Sequence, residues 1–154
     1  MNNYIIGKQF KFEACHSLLR HRGKCSNLHG HSYRVDVKIY GELDIADSSE
    51  GMVVDFDLIS ELAKRIIEEP FDHSHIIWRD DAKMMAVAKQ NPKMKVVIMD
   101  QRPTAENMAR RFYDELDEAV RGHLLGRGYV HSVRVYETAN AWAEYPYKKG
   151  EVAI

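Results

Sequence analysis

The chain has 154 residues, 45% of them hydrophobic and 29% charged, with a formal net charge of -1. That length suits one domain over residues 1–154, and the apolar content suffices for a core without any run long enough to cross a bilayer. Scattered Lys and Arg argue against nucleic-acid binding, and an N-terminus without the basic and apolar regions of a signal peptide predicts a cytoplasmic protein with Cys15 and Cys25 unpaired.

Residues 4–16 read as a first strand: Ile6, Phe10, Phe12, Ala14 and His16 share one face, with Lys11 and Glu13 opposite. Cys15 falls on the face away from His16 and is read as structural. The segment Cys25-Ser26-Asn27-Leu28-His29-Gly30-His31 opens a second strand, where Tyr33, Val35, Val37 and Ile39 continue the face of both histidines. Residues 57–69 carry Leu58, Ile59, Leu62, Ala63, Ile66 and Ile67 at helical spacing, and Pro70 is expected to end that helix. Between residues 78 and 102 the pattern weakens, with a short helix at 80–90, Met84 and Met85 as packing, and a short strand at 96–99. Residues 104–124 form a second amphipathic helix through Met108, Phe112, Leu116 and Val120, and 129–137 and 141–145 are closing strands. The predicted class is α+β: a four-stranded antiparallel sheet with two helices on one face. Its open edges make an oligomer the physical expectation.

Chemistry concentrates at one end of the first hairpin. Antiparallel pairing sets the end of the first strand beside the start of the second, which gathers His16, His29 and His31 at one sheet edge. Three imidazoles with a vacant fourth position are a ligand set for catalytic Zn2+, and no carboxylate cluster accompanies them to favour a harder ion. Cys25 has two available roles, a fourth ligand closing the site or a free thiol acting on whatever the zinc holds. The lack of a paired Cys-x-x-Cys favours the thiol, whose pKa must fall for it to act as a base. Asp72-His73, after the first helix, is the candidate partner of that thiol, although an adjacent Asp and His can orient each other only through tertiary folding.

These residues carry a resemblance. The chain resembles the 6-pyruvoyltetrahydropterin synthase and 6-carboxytetrahydropterin synthase family through Phe12-Glu13-Ala14-Cys15-His16, residues 25–33, Gly51-Met52-Val53-Val54-Asp55-Phe56, Phe71-Asp72-His73, Pro103-Thr104-Ala105-Glu106-Asn107 and Glu137-Thr138. It departs from the usual pattern at Phe71, where Leu is commoner. The resemblance implies that His16, His29 and His31 bind zinc and that Cys25 moves protons with Asp72 and His73 as its partners. It also implies that Glu137 anchors the pterin and joins the proton relay, and that Thr104 contacts the pterin. A carboxylate accepts two parallel N–H bonds from an aminopyrimidinone as it does from an Arg fork. Capping alone would also account for Thr104, with Asn107 in place of the acid of a full capping box.

The four-residue step from Cys25 to His29 and the closing Trp142-Ala143-Glu144-Tyr145 resemble the carboxy branch. That branch implies a zinc-dependent carbon-carbon lyase of queuosine biosynthesis. It would convert 7,8-dihydroneopterin triphosphate to 6-carboxy-5,6,7,8-tetrahydropterin, releasing acetaldehyde and triphosphate. A pyruvoyl product is the alternative, and a non-catalytic zinc and pterin binder is another. The implied architecture is the tunnelling fold, whose sheets form trimeric barrels and then hexamers with sites between subunits. The implied partners are a small-molecule pterin triphosphate and further copies of the chain, with no nucleic acid or membrane. A triphosphate substrate would give the basic run Arg20-His21-Arg22-Gly23-Lys24 a role in attraction; a solvated loop is the alternative.

Overall fold

The computed structural model describes residues 2–46 and 48–146; of the expected domain over 1–154, residues 1, 47 and 147–154 lie outside the described residues. In chain order the elements are β1 (Asn3–His16), β2 (His29–Glu42), α1 (Phe56–Ala63), α2 (Glu69–Phe71), β3 (Ser74–Trp78), α3 (Ala82–Gln90), β4 (Val96–Met99), α4 (Ala105–Leu124), β5 (Gly128–Tyr136) and β6 (Trp142–Tyr145).

β1 and β2 form an antiparallel ladder from Asn3 opposite Glu42 to His16 opposite His29. The alternation in sequence becomes an alternation in space: Phe10, Phe12, Ala14 and His16 are buried together with Tyr33, Val35, Val37 and Ile39. Phe12 stacks on Tyr33 at 4.7 Å between centroids and meets Phe71 and Phe112 edge-on or tilted at 6.0 Å or less, joining the sheet to α2 and α4. α4 buries Met108, Ala109, Phe112, Leu116 and Val120 on the same core.

The sheet differs from the expected four antiparallel strands. Those four are present as the neighbours β1-β2-β5-β6, but two more extend the sheet to the order β4-β3-β1-β2-β5-β6, with β3 parallel to both β1 and β4. The strand at 96–99 was expected, whereas β3 was not. Four of its five residues are buried, so it lacks the polar-apolar alternation that reveals a half-exposed strand.

Pro70 does not end the first helix. After α1 the chain widens into a π-type turn over Lys64–Glu68 and resumes as α2, with Pro70 in the first turn of that segment. The backbone stays helical through Glu68 and Glu69, and the i→i−5 bonding of the wider turn, Glu69 N–H to the Lys64 carbonyl, makes room for a proline ring that a regular α-helix would exclude. The helix stops at Asp72, whose N–H reaches the Glu68 carbonyl at 2.8 Å. The short helix expected at 80–90 is α3, and it buries no residue of its own.

Away from the helices, Glu144 ties β2, β5 and β6 together. It accepts from Ser132 Oγ at 2.6 Å, from Arg134 Nη2 and Nε at 2.6 and 3.0 Å, and from Lys38 Nζ at 3.3 Å. Burial alone would raise its pKa, but the hydrogen bonds from Ser132 and Arg134 and the charge of Lys38 together outweigh it and hold the carboxyl at about 2. An unfolded Glu titrates at about 4.3, so the stabilisation is full above that value and is lost as pH falls toward 2. Glu144→Gln is therefore expected to cost about 1–3 kcal/mol at pH 7, leaving Arg134 without its carboxylate. The gap to wild type in denaturant melts should close near pH 2; a gap independent of pH would refute the assignment.

Candidate active site and metal centre

Strand parity builds the centre. His16 lies directly opposite His29, and Ala14 opposite His31, so all three imidazoles stand on the core face at the end of the β1–β2 ladder. Gly30 lies between the two β2 histidines, opposite Cys15, where an added Cβ would sit 3.1 Å from the Ala14 carbonyl oxygen. The rings meet at centroid distances of 4.6 Å (His16–His29), 5.1 Å (His16–His31) and 5.0 Å (His29–His31). One nitrogen from each lies within 4.8 Å of the other two.

Backbone carbonyls aim two of these rings. His16 Nδ1 is 2.6 Å from the Pro103 carbonyl and His29 Nδ1 is 2.7 Å from the Asn27 carbonyl. A carbonyl only accepts, so each Nδ1 carries a proton, and Nε2 is the nitrogen left to face a ligand. The Nε2 atoms of His29 and His31 are buried with no hydrogen-bond partner. Burial, with the neighbouring imidazoles adding to it, pushes His16 down to about 4, and burial lowers His31 as well. At neutral pH His16 is therefore uncharged, as metal ligation requires. Convergent imidazole nitrogens, two of them buried without partners, fit a cation with nitrogen preference, zinc above all.

Cys25 sits half-buried in a 3-10 turn, Lys24–Ser26, whose chain is held by the Leu18 N–H donating to the Cys25 carbonyl at 2.8 Å. It is not part of the three-histidine group. Cys15 is also a free thiol, and burial pushes its pKa up.

Asp72 and His73 form a pair. His73 has a left-handed backbone, φ 56°, which turns its ring back so that Nδ1 donates to Asp72 Oδ2 at 2.9 Å. Tertiary contacts clip the pair to β1: the Glu13 N–H donates to Asp72 Oδ1 at 2.8 Å, and the His73 N–H donates to the Glu13 carbonyl at 2.6 Å. The Glu13 N–H, then His73, hold the Asp72 carboxyl below its ordinary range. The His73 side chain is 79% exposed, and among the described residues no hydrogen bond joins the pair to Cys25 within one chain. A cleft of about 350 Å³ is lined by Glu13, Ala14, Gly30, His31 and Ser32.

Glu137 follows β5, with Oε1 3.9 Å from His16 Nε2. Burial raises its pKa, and the charge of Glu106 in the first turn of α4 raises it further. Thr104 caps α4, its side chain accepting from the Asn107 N–H at 3.3 Å. Sequence reasoning singled out neither Glu106 nor the Pro103 carbonyl as part of the site. Glu106 was visible as an acid two residues after Thr104; a backbone carbonyl leaves no mark in side-chain pattern. Tyr33 was read as core, yet its hydroxyl lies 3.4 Å from His16 Nε2.

A mixed sheet carrying a three-imidazole cluster that could hold a metal, at the rim of its longest hairpin, defines a class of small α+β proteins. The model of the 6-pyruvoyl tetrahydropterin synthase family matches residues 5–148, and the chain belongs to that family. It is 35% identical over 137 residues to the 6-carboxy-5,6,7,8-tetrahydropterin synthase of Rickettsia conorii, covering 89% of this chain and 96% of that one. It is 36% identical over 159 aligned residues to the protein of the same name from Aquifex aeolicus, covering 91% and 96%. Among solved structures, an uncharacterized protein from Wolinella succinogenes superposes with a TM-score of 0.76 at 24% identity, over 94% of this chain and 98% of that one. Plasmodium vivax 6-pyruvoyl tetrahydropterin synthase superposes at 0.69 with 17% identity, over 94% and 97%.

Proposed function

We propose that this chain is a zinc-dependent 6-carboxy-5,6,7,8-tetrahydropterin synthase. It would convert 7,8-dihydroneopterin triphosphate with release of acetaldehyde and triphosphate, serving queuosine and related deazapurine synthesis. The observation that carries this reading is the set of three imidazoles with convergent nitrogens, in a chain whose relatives at 35% and 36% identity bear that name.

His16, His29 and His31 would hold the zinc, which when bound supplies Lewis-acid polarisation of the substrate's side-chain hydroxyls. Cys25 takes and returns a proton at the adjacent carbon. The Asp72 carboxylate holds the His73 ring by its Nδ1–H and leaves Nε2 free to exchange a proton with that thiol. Because His73 points outward, its contact with a thiol belongs to a neighbouring copy of the chain in a trimer or hexamer. Glu137 accepts the N–H groups of the pterin's aminopyrimidinone edge, and Thr104 touches the same ring from the start of α4. The catalytic unit is one domain over residues 1–154, working in the cytoplasm.

A pyruvoyl product is the competing reading, favoured by the name of the family model. Mass-spectrometric product analysis with zinc-loaded protein and 7,8-dihydroneopterin triphosphate separates the two. The carboxy product with acetaldehyde is expected. A pyruvoyl product, or unchanged substrate, would overturn the proposal.

A further inference from the structure

We propose that the loop between β1 and β2, together with Arg102, is the subsite for the triphosphate chain of the substrate, an inference that rests on the functional reading above. The loop leaves β1 just after His16 and returns at Cys25, closed by the Leu18 N–H donating to the Cys25 carbonyl at 2.8 Å. Its backbone is fastened to itself: the His21 N–H reaches the Leu18 carbonyl at 3.0 Å, the Gly23 N–H reaches His21 Nδ1 at 2.9 Å, and Ser26 Oγ donates to the Gly23 carbonyl at 3.0 Å. Its cations are not fastened. Arg20, Arg22 and Lys24 are all exposed, and among the described residues none pairs with a carboxylate.

The contrast with the rest of the molecule is chemical. Arg79, Arg110 and Arg111 line a cleft of about 460 Å³ between β4 and α4, and each is matched there by Asp100, Asp114 or Glu115. That cleft is neutralised from within; the loop is not. Arg102 is a further unmatched cation. Its Nη2 donates to the Leu19 carbonyl of the loop at 2.7 Å, its Nε is buried without an acceptor, and among the described residues no carboxylate faces it. A guanidinium mounted in place with its charge uncompensated is costly, and an anionic ligand offsets that cost. The next residue, Pro103, holds His16 through its carbonyl, so this cation and the metal-site imidazole share one mounting.

The substrate's own connectivity points the same way. Its triphosphate hangs from the side-chain carbon next to the two that bear hydroxyls. With those hydroxyls at the imidazoles, the phosphates must leave past the chain that adjoins His16 and Cys25. A whole-chain charge of -1 supplies no general attraction for a polyanion, so the attraction has to be local.

The test is calorimetric titration of inorganic tripolyphosphate into protein with and without zinc, since the probe also chelates that ion. The first variant combines Arg20→Asn, Arg22→Ala and Lys24→Ala; Asn tolerates the left-handed backbone at position 20, φ 66°. In the metal-free arm, wild type is expected to bind tripolyphosphate and the variant at least about tenfold more weakly, with the difference shrinking in high salt. 7,8-Dihydroneopterin, which has no phosphate, should bind both proteins equally. Arg102→Gln keeps an N–H donor for Leu19 while removing the charge, and should weaken tripolyphosphate in the same direction. Equal tripolyphosphate affinity in wild type and variants, with circular dichroism showing all of them folded, overturns the proposal. So does an equal loss for both ligands, which reports a damaged site. Failure of the functional reading looks different: dihydroneopterin would then not bind wild type, whatever tripolyphosphate does.

Discussion

His29→Ala is expected to empty the metal centre while leaving the protein folded. His29 is only half-buried, whereas one of its ring nitrogens belongs to the three that lie within 4.8 Å of each other. Two imidazoles alone make a weak site. Loss of one ligand of three should lower zinc affinity by more than about 100-fold, beyond the 10–100-fold typical of losing a residue that merely orients a ligand. Elemental analysis should find about one zinc per chain in wild type and almost none in the variant. Product formation should fall by about a thousandfold or more, since polarisation of the substrate hydroxyls disappears with the ion. Full zinc occupancy in the variant would show that the ligand set is wrong.

Cys25→Ala separates catalysis from mere binding. The thiol lies outside the three-histidine group, so its removal should leave zinc content and dihydroneopterin affinity unchanged. Turnover of the triphosphate should drop by about 10²–10⁴-fold, the range for removing a positioned proton-transfer group. Loss of zinc along with the thiol would make Cys25 a ligand and the centre a closed one. Unchanged turnover would assign the proton transfer to another group, with Glu137 the first to test.

Much of this site was legible because strand parity is a strict code. With His16 on the apolar face of β1 and His29 and His31 on that of β2, one hairpin register brings all three together, and a slip of one residue would have sent one strand's histidines to the other face. The code fails where burial is two-sided or the register slips. β3 is buried on both faces and so reads as featureless. Where β5 pairs with β2 the register shifts, Lys38 facing Ser132 and Ile39 facing Val130, so Val130, Val133 and Val135 all reach the core although they do not share one parity. Pro70 was read as the stop, although the wider turn before it lets the helical backbone carry a proline and run on to Phe71. The pairing of Asp72 with His73 depends on a left-handed backbone at a non-glycine residue, which tertiary hydrogen bonds to Glu13 sustain and side-chain spacing does not reveal.

The bond from His16 Nδ1 to the Pro103 carbonyl reaches further than the centre itself. Pro103 immediately precedes the Thr104 cap of α4, the helix that supplies Met108, Phe112 and Leu116 to the core. The ligand nitrogens converge only when β1, β2 and the foot of α4 are all in place, so no such trio exists in the unfolded chain. Any cation taken up there binds the native state alone and shifts the folding equilibrium by mass action. Zinc added to the protein is therefore expected to raise its melting temperature, and a chelator to return it to the metal-free value.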